Sequence, residues 1–71
     1  MKRITFTGDY ITLGPFLKLA DVVSTGGQAK FFLREHVVTV NGEPENRRGR
    51  KLVHLDTVEI ENIGRFQAIR V

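Results

Sequence analysis

Seventy-one residues with a formal net charge of +3 and no cysteine make one domain, spanning 1–71, near the lower size at which a single apolar core holds a fold unaided. They exclude a disulfide framework and a thiolate metal site, and no apolar run is long enough for a secretory signal or a membrane span. Lys2 after Met1 excludes an N-myristoyl motif, so a cytoplasmic protein that needs no membrane is expected.

The first predicted element is a short half-buried strand, in which Ile4 and Phe6 alternate with Arg3, Thr5 and Thr7 until Gly8-Asp9 ends it. Leu13, Phe16, Leu17 and Ala20 then fall at i, i+3, i+4, i+7, the spacing of one helix face. Thr12 is placed to cap that helix, and Pro15 is tolerated in its first turn. A second helix begins at Ser24 or Thr25. Thr25 and Gln28 have the spacing of a capping box, and Ala29, Phe32, Leu33 and His36 repeat the apolar spacing.

After His36 the pattern changes to the β-branched run Val37, Val38, Thr39, Val40, followed at once by Asn41-Gly42. That dipeptide is the strongest short hairpin signal, because a type I′ turn needs positive φ at both positions. Glu43-Pro44 starts the return, with Pro44 confining it to an edge. Leu52, Val53 and Leu55 are read as re-entering the core, with His54 a partly exposed strand residue between them, before Asp56 turns the chain. Val58 and Ile60 alternate with Thr57, Glu59 and Glu61, and Asn62 and Gly64 mark a turn before a last strand from Arg65 to Arg70. The order β-α-α-β-β-β-β predicts an α+β fold, two short helices packed on a small, mostly antiparallel, twisted sheet.

Catalytic patterns are missing. His36 and His54 are isolated in sequence, with His36 read as an interactor of its helix end. Glu43 and Glu45 sit beside a basic cluster that they would screen, and no nucleophile or metal-ligand spacing occurs. Gly26-Gly27 resembles a phosphate-binding helix start, but no Gly-Lys-Ser/Thr follows, so no cofactor is expected and the chain does not read as an enzyme.

The charge is uneven. Arg47, Arg48, Arg50 and Lys51 fall within six residues, and the segment Asn46 to Lys51 contains no acid. Arginine presents a planar fork suited to phosphate oxygens, and Gly49 lets the backbone bend so that successive side chains converge. On the second helix Gly27, Lys30, Phe31 and Arg34 share one stripe. Lys30 and Arg34, four residues apart, repel by roughly 0.2–0.5 kcal/mol unless an anion lies over them. Phe31 is the aromatic best placed to stack on a base, although that position is more often a satellite of the core.

The runs Ser24-Thr25-Gly26-Gly27-Gln28-Ala29-Lys30, Val38-Thr39-Val40-Asn41-Gly42-Glu43 and Arg47-Arg48-Gly49-Arg50-Lys51-Leu52 resemble, in this order and spacing, the S4 RNA-binding domain. The match is to the small free-standing bacterial S4-domain proteins, and it covers the chain from Thr12 to near Glu61. The resemblance implies the S4-type αL motif, with the helix pair and following hairpin presenting a basic surface to structured RNA. It places Ser24, Gln28, Lys30 and Arg34 on the RNA-facing helix and Asn41 and Gly42 in the turn of the motif. Thr25 stands where many S4 domains carry Arg, so the charge of that contact would come from the Arg47–Lys51 cluster, and Leu55-Asp56 stands where Gly-Asp is usual. The expected partner is structured RNA, ribosomal RNA or a ribosomal subunit, met by a monomer during ribosome assembly or quality control. The competing reading is a protein-interaction module that holds an acidic partner. DNA fits less well, since neither helix is a long polar recognition helix.

Overall fold

The computed structural model describes all 71 residues. Alternating Ile4 and Phe6 form strand β1, Lys2–Phe6, and two residues, Ile11–Thr12, form a short strand β2 that no pattern announced. Helix α1, Leu13–Leu19, follows without a break. It closes in a Schellman arrangement: Asp21 takes a positive φ of 62°, its N–H donates to the Lys18 carbonyl at 3.0 Å, and Val22 N–H donates to Leu17 at 3.0 Å.

Helix α2, Gly26–Glu35, starts as its capping box requires. Thr25 Oγ1 accepts from Gln28 N–H at 3.2 Å, and Gln28 Oε1 accepts in return from Ser24 N–H at 2.8 Å, one residue before the cap. Val38–Val40 is strand β3. Asn41 and Gly42 both have positive φ, 52° and 86°, as a type I′ turn demands, and Glu43–Pro44 returns as β4. The remaining strands are β5, Lys51–Leu52, β6, Thr57–Ile60, and β7, Gly64–Arg70.

Five strands form one sheet in the order β1-β7-β6-β3-β4, and β2 and β5 pair separately as a two-residue antiparallel ladder. All neighbours in the large sheet are antiparallel except β1 and β7, which run parallel from Lys2↔Phe66 to Phe6↔Arg70. Pro44 sits on the edge strand, where its missing N–H leaves no gap in a ladder. Period-two alternation puts Ile4, Phe6, Val38, Val40, Val58, Ile60, Phe66 and Ala68 on the inner face. There they form a single core with Leu13, Phe16 and Leu17 of α1 and Ala29 and Leu33 of α2.

One part of the expected core is absent. Leu52 is fully buried, but Val53 and Leu55 are exposed, because β5 ends at Leu52 and the chain turns there. Asp56 holds that turn: its Oδ2 accepts from Val53 N–H at 2.8 Å and its own N–H donates to the Val53 carbonyl at 3.0 Å. Leu55 adopts φ 75°, the left-handed conformation that Gly takes without cost. His54 lies in the same turn, outside any strand, and its Nδ1 accepts from Arg70 N–H at 3.0 Å.

Candidate nucleic-acid interface

The basic segment leaves the large sheet at Pro44 and ends in the small ladder at Lys51, so its two ends are fixed to different strand pairs. Between them stands Glu45, a buried carboxylate that organises the loop. Its Oε2 accepts from Asn46 N–H at 3.2 Å, Arg47 N–H at 3.0 Å and Arg47 Nε at 2.9 Å. Its Oε1 accepts from Arg47 Nη2 at 3.1 Å and Arg50 Nη1 at 3.0 Å.

The forked hydrogen bonds from the Arg47 guanidinium are the main reason its pKa falls from 4.5 to about 2, outweighing burial, which acts in the opposite direction. Arg47 N–H and the Arg50 guanidinium add to the lowering. The carboxylate in turn raises the Arg47 pKa above its ordinary value. Segment 46–51 contains no acid, but the acid just before it takes two of its four cations. Glu45 is therefore a buried scaffold and not a screening residue of a surface turn.

The loop backbone is tied to α1. Arg50 O accepts from Leu13 N–H and Arg48 O accepts from Gly14 N–H, each at 2.8 Å. Those are free donors of the first helical turn, and the next position is Pro15, which has none. Thr12, expected to cap α1, makes no side-chain cap bond, since the loop carbonyls already occupy its donors. The loop packs closely on Gly14, where a Cβ would stand 3.4 Å from Arg48 Cβ and 3.8 Å from Ala29 Cβ, contacts at the near edge of ordinary length. The Cβ atoms of Arg48 and of Ala29, the residue that precedes Lys30, thus both border the Gly14 position.

Within this frame the expected site residues divide. Arg47 and Arg50 are ion-paired to Glu45, whereas Lys30, Arg34, Arg48 and Lys51 make no ion pair. Lys30 and Arg34 are exposed on α2, and the Arg34 guanidinium lies 5.8 Å from the centroid of the Phe31 ring. Phe31 itself is 61% exposed, while its neighbour Phe32 takes the place beside the core. The Gln28 side chain and the Ser24 N–H serve the helix cap.

Asn41 is committed to the fold as well. Its Nδ2 donates to Asp56 Oδ1 at 3.0 Å and its Oδ1 accepts from Thr57 N–H at 2.9 Å, which latches the hairpin to β6. His36 stacks on Phe32 with centroids 4.0 Å apart and sets Nδ1 3.1 Å from the Phe32 carbonyl, as expected of a residue serving its helix end.

Three contributors were not picked out from sequence as parts of this surface. For Glu45 the signal was present, an acid followed at i+2 and i+5 by Arg. For Gly14 it was weaker, a glycine inside a helix where alanine is favoured. Tyr10, 47% exposed with Lys51 Nζ 4.8 Å from its ring centroid, gave none, because only the unforeseen β2–β5 ladder sets it beside the loop.

This α+β chain belongs to the S4 domain family, whose model matches residues 4–69. The chain is also 61% identical over 66 residues, 93% of each chain, to a Bacillus subtilis (strain 168) protein named "Probable ribosome maturation protein RlbA". No solved structure matches it significantly.

Proposed function

We propose that this chain is a non-catalytic RNA-binding protein that docks on structured ribosomal RNA during ribosome assembly or ribosome-associated quality control. The observation that carries this reading is the division of its cations. Glu45 consumes the charge of Arg47 and Arg50 to fix the loop, while Arg48, Lys51, Lys30 and Arg34 stay free of ion-pair partners. A pre-set group of unpaired cations meets phosphates without first breaking ion pairs or ordering a loop. The S4 family membership and the name of the Bacillus relative support the ribosomal setting.

Salt dependence supplies the test. If about five phosphates are contacted, raising salt from about 50 to 200 mM weakens binding to a ribosomal RNA fragment roughly a hundredfold. Binding indifferent to salt, or co-sedimentation with ribosomal subunits that is undiminished by removal of both Arg48 and Lys51 side chains, would refute the proposal.

A further inference from the structure

Two exposed aromatic rings each lie under a cation, Phe31 beneath Arg34 and Tyr10 beneath Lys51. Phe31 belongs to the helix stripe already described. Tyr10 does not. It precedes β2, and it lines a shallow cleft of about 320 Å³ together with Phe6, Ile11, Leu19, Val71 and the hydroxyl-bearing Thr5 and Thr7. Leu19 is itself more than half exposed, so the cleft presents apolar surface that the fold leaves in water.

The chemistry of this corner selects among ligands. An aromatic wall with an apolar floor accepts the face of a flat ring, and the threonine hydroxyls can meet polar atoms at its edge. Lys51, in no ion pair, stands over the ring and directly follows Arg50 of the basic loop. Asp9, the acid next to Tyr10, faces Arg70 at 3.8 Å. A nucleotide has both required parts, a flat base and a phosphate within reach of one lysine, whereas paired bases keep their faces covered by the stack.

We propose that Tyr10, Lys51 and this cleft form a nucleotide-stacking site, in which an unpaired base of the bound RNA lies against the Tyr10 ring while the Lys51 ammonium turns to the phosphate of that nucleotide. The inference rests on the RNA-binding reading above and narrows it to RNA that offers an unpaired nucleotide next to a paired stem.

Tyr10 is the single tyrosine and the chain has no tryptophan, so tyrosine emission reports on this ring alone. The wild-type protein is titrated at one salt concentration with a hairpin RNA bearing a single-stranded loop, and separately with a blunt RNA duplex of the same stem length. Free N-acetyltyrosinamide in a parallel titration corrects for light absorbed by the RNA. Bound hairpin should quench Tyr10 emission and bound duplex should not. Tyr10→Ala should lower hairpin affinity about tenfold and duplex affinity less than about twofold, with Tyr10→Phe close to wild type. Hairpin binding that leaves Tyr10 emission unchanged, or an equal loss for both RNAs in Tyr10→Ala, overturns the stacking site and leaves the RNA-binding reading standing. Failure to bind either RNA overturns both.

Discussion

Replacing Glu45 with Gln keeps the shape of the side chain and removes the charge on which the loop is built. The pKa of Glu45 is lowered from 4.5 to about 2. At 1.36 kcal/mol per unit the shift corresponds to about 3 kcal/mol of stability when the group is ionised. The Arg47 side chain is 72% exposed, so water screens part of that interaction, and about 2 kcal/mol is the better figure. For a domain this small that is a large share of the total.

The sign follows from the direction of the shift. A carboxylate whose pKa is depressed in the folded state stabilises fully above about pH 4.5, progressively less as pH falls towards about 2, and not at all below. Urea unfolding followed by circular dichroism, on wild type and Glu45→Gln, should therefore show a gap of about 2 kcal/mol at pH 7 that closes between about pH 4.5 and 2. Urea is preferable to guanidinium because it adds no screening ions. A gap that keeps its size down to about pH 2, or one below about 0.5 kcal/mol at pH 7, would refute the assignment of Glu45 as the ionised anchor of the loop.

The double variant Arg48→Ala, Lys51→Ala should reduce the salt slope of RNA binding by about two while leaving the urea midpoint unchanged, since neither residue has an ion-pair partner. Arg47→Ala should instead lower stability, because it strips the buried Glu45 of its forked partner; equal urea midpoints would contradict this. At Gly14 the outcome should depend on size. Ala gains up to about 1 kcal/mol of helix propensity against a Cβ contact of ordinary length, whereas the two further carbons of Val should overpack the space beside Arg48, cost about 1–3 kcal/mol and loosen RNA binding, as thermal melts and titrations would read. Leu55→Gly should be neutral or stabilising by up to about 1 kcal/mol, unlike most leucine truncations, because it relieves a positive φ at an exposed site; a clear fall in melting temperature would contradict this.

Most elements were legible because their signals are local. The capping box at Thr25 and Gln28, the Asn41-Gly42 turn and the alternation around Val58 and Ile60 each declare themselves within a few residues, and each took its expected form. The end of α1 was harder to read, since Asp21 and not Gly occupies the left-handed position of its Schellman turn. Val53 and Leu55 were misplaced in the core because apolar identity outweighed the Asp56 turn that exposes them. The β2–β5 ladder is two residues long and joins segments forty positions apart, so no period could reveal it. At the candidate site the cations could be read from composition. Which of them are free could not, because that depends on Glu45 being buried and on carbonyls of the loop bonding to the start of α1.

The parallel pairing of β1 with β7 joins two strands about sixty residues apart, so that β1 is made well before its partner. Until Gly64–Arg70 has left the ribosomal tunnel, Lys2–Phe6 has no strand partner, and Ile4 and Phe6 lack the inner-face neighbours Phe66 and Ala68. Loop-closure entropy across almost the whole chain must be overcome before that pairing returns any stability. The helix pair and the β3–β4 hairpin, whose contacts are short in sequence, can assemble earlier. Completion of the sheet is thus expected to follow formation of the helix pair and the hairpin, with the unpaired edge of β1 the part most exposed to mispairing in the interval.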